Sequence, residues 1–419
     1  MKKETSKTLT SNKKAITLSI AILIGLILGA VFGAVMPVWM ESVTSLISTL
    51  YLHALTMMIY PLVFCSLVVG IKGIGSVSAT GKVGGQALLY YVCTTLFASL
   101  LGMVLPKALN LGAGVAVEMK DAEVDAVGFN NLLDTVKNLI PANPFQSFVE
   151  GNMLQVLVFA IIVGIACLAV GKKADPFLAV CESVNEIAVK IVSAVMYVTP
   201  IGVFCSLAGT VHANGLATIL SLAQVMIILY ITYAIYAVVV YGFVIVKGIG
   251  HFSVKTFFVT ILPAALNAFG TASSSATLPI SKRCTDEMGV PNEISSLSLP
   301  LGATINMDAV SILMSFMIVF FANATGTPIP YSLLAVVLLS NTLLSIGAPG
   351  VPNSAIATFA ALSQIAGLPT GVMSMYVSVN VLADAGATCV NVIGDLACSV
   401  SMKRTCRLPE HMNKEQASL

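Results

Sequence analysis

Charge is scarce in this sequence. Asp, Glu, Lys and Arg make up 10% of its 419 residues, against 57% hydrophobic. Soluble globular chains run near a quarter charged, so a soluble fold is excluded, and the mean hydropathy of +0.95 agrees. The net charge of +2 is too small to recruit a polyanion, so nucleic acid is excluded as a partner. Histidine is scarce too: His53, His212, His251 and His411 are scattered and give no metal-ligand spacing. None of the cysteines, Cys65, Cys93, Cys167, Cys181, Cys205, Cys284, Cys389, Cys398 and Cys406, forms a CxxC pair. Most lie in apolar runs and read as small buried hydrophobes. A secreted disulfide scaffold and a disordered chain are excluded as well. What remains is a polytopic protein with the lipid bilayer as partner.

The apolar runs supply the spans. Lys2, Lys3, Lys7, Lys13 and Lys14 precede a run from Ala15 to Pro37, long enough to cross roughly 30 Å of hydrocarbon as a helix. A signal peptide is the alternative, but its apolar core is shorter and no soluble secreted domain follows. Further spans are expected at 43–70, 84–110, 145–170, 177–210 and 216–247, with the amphipathic 177–193 stretch (Glu182, Glu186, Lys190) partly interfacial. After 250 the apolar segments are broken by Pro, Gly, Ser, Thr and Asn, at 262–279, 300–310 and 345–355. A last helix, 369–402, carries Asp384, Asn391 and Asp395 in its middle.

Cation placement tests this map, because Lys and Arg collect in cytoplasmic loops. With the N-terminus inside, and 250–290 and 328–367 as re-entrant hairpins, seventeen of the 21 cations fall on one side. Reading either broken segment as a full crossing moves the following clusters to the wrong side. The outer loop, 111–143, is acidic through Glu118, Asp121, Glu123, Asp125 and Asp134. Its ligand spacing is not that of a calcium loop with a required central Gly, so a solvated loop is preferred.

Between Ser296 and Met402 the only charged residues are Asp308, Asp384 and Asp395; no Lys, Arg or His accompanies them. Ionised groups at membrane depth are costly and are usually paired or functional. Three acids without a protein cation need protons, metal cations or a cationic ligand group, or else serve as protonated structural groups. Asp308 follows Gly302, Thr304, Asn306 and Met307, where Gly and Asn weaken the helix and free carbonyls. Carboxylate, amide and carbonyl oxygens suit a hard cation such as sodium. Asp384, Thr388, Asn391 and Asp395 share one helical face, which could also be interhelical glue. Ser273-Ser274-Ser275 and the Gly347–Pro352 segment sit at two breaks, where half-helix N-termini present free N–H groups suited to a substrate carboxylate. A flexible serine linker is the bland reading. A serine nucleophile would need a base within reach, and the pocket elements contain no His or Lys. Interrupted segments at corresponding positions of two halves point to a transporter site.

At these residues the sequence resembles the dicarboxylate/amino acid:cation symporter family, the glutamate-transporter homologues. The motifs are SSSATLP at 273–279, EMGV…LPLGATINMD at 287–308, SIGAPGVP at 345–352 and D…T..N..GD at 384–395. The resemblance runs from about Ala15 to Lys403. It implies an all-α membrane fold of eight spanning helices and two re-entrant hairpins, with inverted repeats, in a homotrimer; an archaeal member is among the standard examples of such repeats. It implies scaffold helices at 15–70 and 145–210, and a mobile transport domain made of 84–110 and 216–403. In that domain hairpin 1 spans 252–288, helix 7 spans 294–322, hairpin 2 spans 328–367 and helix 8 spans 369–403.

Residue by residue, Asp384 and Thr388 resemble the contacts for a substrate amino group; Asn391 and the backbone at Ser274 and Val351 resemble those for its carboxylate. Gly302, Asn306, Asn391 and Asp395 resemble one sodium site; Thr304, Met307, Ser345, Ile346 and Ala348 a second; Tyr91, Thr94, Thr95, Asn306 and Asp308 a third. The departures bear on substrate. Acidic-substrate members carry an arginine where this chain has Ala387, and some carry one where it has Ala272. A buried side-chain carboxylate would lack a partner. Asp384 argues against a plain dicarboxylate, and Val310 replaces a polar pocket residue. The expectation is sodium symport of a small neutral amino acid such as alanine, serine or threonine. Met314, where proton- and potassium-coupled members carry a glutamate, argues against such coupling. A neutral amino acid exchanger, a proton-coupled amino acid or dicarboxylate carrier, and an ion channel are the alternatives; an enzyme is not expected.

Overall fold

The computed structural model describes residues 21–406 apart from 22–23, 26, 80–81, 114–139, 151, 215–216, 328 and 347–353. Among the described residues every regular element is helical. Helices satisfy their own backbone groups, the requirement that hydrocarbon imposes. Among the described residues six helical stretches are long and apolar enough to cross a membrane: Val83–Ala108, Gln155–Ala188, Ser221–Ile249, Val254–Thr271, Asn292–Ala324 and Leu382–Thr405. The chain is an all-α, multi-pass membrane protein. Many outward side chains, such as Trp39, Leu89, Ile165 and Ile227, are large, apolar and exposed, as lipid-facing surfaces require.

The chain begins with α1, described over 27–35. Gly25, Gly29 and Gly33 bring its backbone against Pro200, Phe204 and Ala208, a small-residue stripe that permits close helix approach. Next come α2 (Val38–Thr56), α3 (Ile59–Ala79) and α4 (Lys82–Ala108). The expected span 43–70 is therefore two helices, and Lys72 lies inside α3 rather than beyond it. Pro61 explains the break, because its ring clashes with the carbonyl four residues earlier.

After the short α5 (Pro144–Val149) come α6 (Met153–Val170), α7 (Asp175–Val195) and α8 (Thr199–Asn214). The expected span 177–210 is thus also divided, at Met196–Val198 and just before Pro200. On α7, Glu182, Glu186 and Lys190 are exposed together. The next span is α9 (Ala217–Ile235), which continues with π-helical winding over Tyr236–Ile249.

The second half alternates hairpins with broken or polar helices: α10 (Val254–Thr271), α11 (Ser274–Glu287), α12 (Asn292–Ile305), α13 (Asp308–Ala324), α14 (Tyr331–Ile346), α15 (Ser354–Ile365) and α16 (Val372–Thr405). Helices α10 and α11 pack on each other, as do α14 and α15. Both hairpins end with the same device. Gly289 and Gly367 take φ of +67° and +68°. In each case the next N–H bonds five residues back, Val290 to Thr285 at 3.0 Å and Leu368 to Ser363 at 2.9 Å. A proline follows each, Pro291 and Pro369. A left-handed glycine then proline is a strong helix stop, and its recurrence supports a structural repeat.

Packing sets two groups of helices. α3 packs on α6 and α7, and α2 packs on α8. Helix α16 packs on α10 to α13 and the π-helical segment, while α4 packs on α13. The apolar part of Asn292–Ala324 is 100% buried, against 22% for that of Gln155–Ala188, so α12 and α13 form the centre.

Candidate cation and substrate site

The site grows from the break between α12 and α13. Asn306 and Met307 leave helical geometry, with φ/ψ of −82°/83° and −113°/43°. A helix end at this depth exposes backbone groups that need partners. Asn391 on α16 supplies one: its Oδ1 accepts from Ala309 N at 2.8 Å, satisfying the first turn of α13. The Asn306 amide nitrogen donates to Asn391 O at 3.1 Å and to Asp395 Oδ1 at 2.9 Å.

Two glycines permit this approach. A Cβ on Gly302 would overlap the Asp395 carboxylate and stand 2.8 Å from the Tyr91 hydroxyl. A Cβ on Gly394 would lie 2.5 Å from the Tyr241 hydroxyl and 2.6 Å from Asn306 Nδ2. Asn306 Oδ1 is buried and, among the described residues, has no hydrogen-bond partner. An orphan amide oxygen beside a buried carboxylate fits a hard cation.

Asp308 opens α13 and is fully buried. Three hydroxyls donate to its carboxylate: Thr95 to Oδ1 at 2.6 Å, Tyr241 to Oδ2 at 2.7 Å and Tyr236 to Oδ2 at 3.1 Å. The Tyr236 hydroxyl also lies 3.0 Å from Thr94 O, and Tyr91 donates to Ser298 O at 3.0 Å. An ionised carboxylate only accepts hydrogen bonds, so three donors match its charged form, and such bonds are the stronger kind.

The tyrosine pair depends on the π-helical winding. In an α-helix residues five apart point about 140° away from each other. Bonds from i to i+5 bring them to one face, and Gly250 N bonding Ile245 O at 2.8 Å closes that pattern. Tyr236 and Tyr241 were not among the expected site residues. Their signal is the series Tyr230, Tyr233, Tyr236 and Tyr241 in one apolar span, the last three buried and Tyr230 partly so. Tyr230 reaches Leu382 O at 2.7 Å, and Tyr233 reaches Ala309 O at 3.2 Å.

On α16 the expected stripe is buried together: Asp384, Thr388, Asn391 and Asp395 are 2–6% exposed. It continues one turn to Ser399, which donates to Asp395 O at 2.9 Å and pairs with Ser298 Oγ at 2.7 Å. Thr388 commits its hydrogen to Asp384 O at 2.8 Å. Among the described residues the Asn391 Nδ2 bonds only the Met307 sulfur, at 3.3 Å, a weak acceptor that a carboxylate could replace. Ala387 and Val310 are buried and apolar.

At the first hairpin tip Ser273 caps α11, its Oγ accepting from Ala276 N at 3.2 Å. Ser274 is buried, but Ser275 is exposed. Three consecutive residues entering a helix step about 100° apart and cannot share a face, so the serine run divides.

The first expected cation set, Gly302, Asn306, Asn391 and Asp395, is thus brought together, with the Tyr91 hydroxyl of the third set against Gly302; Thr94 and Thr95 of the third set meet the Asp308 cradle instead. The second set falls on the end of α12, the break after it and the end of α14, with Met307 buried at the break. Thr304 is exposed and donates to Leu301 O at 2.9 Å. Ser345 is buried and donates to Thr342 O at 2.9 Å. Helices α12 and α14 do pack on each other, and Ile346 ends α14. Ala348 and Val351 lie outside the described residues.

Comparison with known proteins agrees with this architecture. Residues 18–405 match the model of the sodium:dicarboxylate symporter family. The chain is 29% identical over 368 residues to C4-dicarboxylate transport protein 2 of Pseudomonas aeruginosa, covering 85% of this chain and 83% of that one. It is 28% identical over 366 residues to the proton/sodium-glutamate symport protein of Bacillus subtilis, covering 85% of each. Similarity to the C4-dicarboxylate transport protein of Edwardsiella ictaluri reaches 30% over 378 residues, 87% of each chain. A family match over almost the whole length, on a fold whose buried acids converge at a broken helix, has one conclusion: the chain belongs to the sodium:dicarboxylate symporter family and is a cation-coupled transporter, not an enzyme.

Proposed function

We propose that the protein is a sodium symporter of small neutral L-amino acids, such as alanine, serine or threonine. The observation that carries the substrate claim is Ala387, which is fully buried and apolar where a side-chain carboxylate would need a cation. No Lys, Arg or His occurs from Ser296 to Met402 to take its place. The relatives are named for dicarboxylates and glutamate; a second carboxylate in this pocket would be buried unpaired, at a cost of several kcal/mol, about 3–5. Asp384 would hold the substrate ammonium, with the Thr388 oxygen beside it, and Asn391 Nδ2 would turn from Met307 to the α-carboxylate. Ser273, Ser274 and Val310 would complete the pocket wall.

Sodium is cargo in this reading. Asp308 and Asp395 would carry uncompensated charge through the bilayer unless each is neutralised. The orphan Asn306 oxygen and the Gly302 approach support a site at Asp395, and the Thr94, Thr95 and Tyr91 region supports another at Asp308. Cation and substrate together would favour closure of the second hairpin, the differential stabilisation that alternating access requires. A scaffold of α1–α3 and α6–α8 in a homotrimer would hold the remaining helices as one moving body. The protein would sit in the cell membrane with both termini cytoplasmic.

A proton-coupled carrier is the second reading. The Bacillus subtilis relative is named for both ions, and both buried acids could take protons. The test is uptake into proteoliposomes under a sodium gradient at fixed pH. Alanine, serine or threonine should accumulate, choline should not replace sodium, and Asp384→Ala should abolish uptake. Sodium-independent accumulation, or strong competition by aspartate, would overturn the cation or the substrate claim respectively.

A further inference from the structure

A second polar cluster lies beside the Asp308 site. Asn341 on α14, Ser99 on α4, and Ser311 and Ser315 on α13 are all 0% exposed. The Asn341 amide nitrogen donates to Ser99 Oγ at 2.6 Å, to Ser311 O at 2.8 Å and to Ser315 Oγ at 2.9 Å. Two N–H bonds are thereby shared among three acceptors on two other helices. No sequence motif singled out these residues, and the cation and substrate contacts do not use them.

The register gives the cluster its meaning. Ser99 stands one turn beyond Thr95, and Ser311 and Ser315 stand three and seven residues beyond Asp308, while Asn341 stands one turn before Ser345. Residues three and four apart share a helix face. The faces of α4 and α13 that meet at the Asp308 carboxylate therefore meet again at Asn341, which belongs to the first arm of the second hairpin. Apolar packing alone would leave that arm free to slide along α4 and α13. A buried amide with directional partners permits one register, the best-attested role of a single buried Asn. The clamp is also one-sided: among the described residues Asn341 Oδ1 and Ser311 Oγ have no hydrogen-bond partner, so the Asn341 side chain grips through its nitrogen.

We infer that Asn341 is a positioning residue: it fixes the first arm of the second hairpin on the two helices that carry Thr95 and Asp308, and so sets the affinity for the coupling cation. The inference rests on the cation-symport reading. It adds that the hairpin arm and the Asp308 site are tied by a side-chain clamp with no ligand contact of its own.

The test is a double-mutant cycle of Asn341→Leu, similar in shape but without donors, against Ser99→Ala/Ser315→Ala. Initial uptake rates are measured in proteoliposomes across a range of sodium concentrations. Both variants should raise half-saturating sodium by on the order of tenfold, equivalent to about 1.4 kcal/mol, with the maximal rate at saturating sodium retained. The combined variant should be no worse than Asn341→Leu alone, because that change already removes both serine contacts. Should Asn341→Leu fail to fold, the Ser99→Ala/Ser315→Ala protein carries the test, and Asn341→Gln, which keeps the donors, should recover part of the affinity. Unchanged half-saturation, additive effects, or loss of maximal rate alone overturns the inference. A parent protein indifferent to sodium overturns the sodium reading instead, and the same cycle is then read against proton concentration.

Discussion

The Asp308 cradle allows one consequence to be worked out in advance. Tyr241→Phe deletes a hydroxyl 2.7 Å from the Asp308 carboxylate and leaves the ring in place. A hydrogen bond to a charged group contributes about 1.5–3 kcal/mol, so the variant should lose about 2 kcal/mol of stability. Tyr236→Phe should lose less, about 1 kcal/mol, as an ordinary hydrogen bond does. Its single hydroxyl hydrogen is divided between the carboxylate at 3.1 Å and Thr94 O at 3.0 Å. The assay is thermal unfolding of purified protein in detergent, repeated on an Asp308→Asn background. With the charge removed, Tyr241→Phe should cost half as much or less, because only a neutral bond is left to lose. An equal cost on both backgrounds would show that the hydroxyl acts elsewhere and would refute the cradle. A larger loss for Tyr236→Phe than for Tyr241→Phe would refute the assignment of the shorter bond as the stronger.

Two further outcomes follow from the site's geometry. Gly302→Ala drives a methyl group into the Asp395 carboxylate; overpacking of this kind costs about 1–3 kcal/mol, and half-saturating sodium in uptake assays should rise about tenfold or more. Ala387→Arg should shift competition profiles toward aspartate and glutamate and weaken alanine, serine and threonine. A buried charge pair gained or left unpaired is worth about 2–5 kcal/mol, so an unchanged profile would place Ala387 away from the substrate side chain.

Much of this was readable in the amino acids because hydrocarbon restricts the choices. A backbone in lipid must be helical, so apolar run lengths placed the 216–247 span and the last helix within a few residues of the observed ones. The two broken segments, read from Pro, Gly and cation placement, are the α10–α11 and α14–α15 pairs. The first half was read less well. Pro61 and Pro200 each end a helix inside what hydropathy alone presents as one span, since a running average of apolarity is blind to a missing N–H.

For the site, the division is between chemistry and partnership. The acids and amides of α12, α13 and α16 stood out because a polar group in an apolar run is conspicuous by type. Tyr236, Tyr241 and Asn341 did not. Tyrosine is at home in an apolar span, and its hydroxyl has meaning only once its acceptor is known. The π-helical winding that aims both tyrosines at Asp308 has no signature in hydropathy. Ser275 was overread for the converse reason: a run of three serines looks uniform, but helical rotation turns the third one outward.

The sequence by itself determined that the protein lives in a membrane, that its chain is broken where helices should run through, and that three acids stand in a stretch, Ser296 to Met402, that holds no cation. Those facts follow from composition and order, which solvent imposes on every residue separately. Only the tertiary structure decided which hydroxyls meet Asp308, which amide oxygen is left over beside Asp395, and which hairpin residue grips α4 and α13. Those depend on side chains from distant parts of the chain arriving within 3 Å of one another, and hydrogen bonding, unlike burial, is decided by distance and direction.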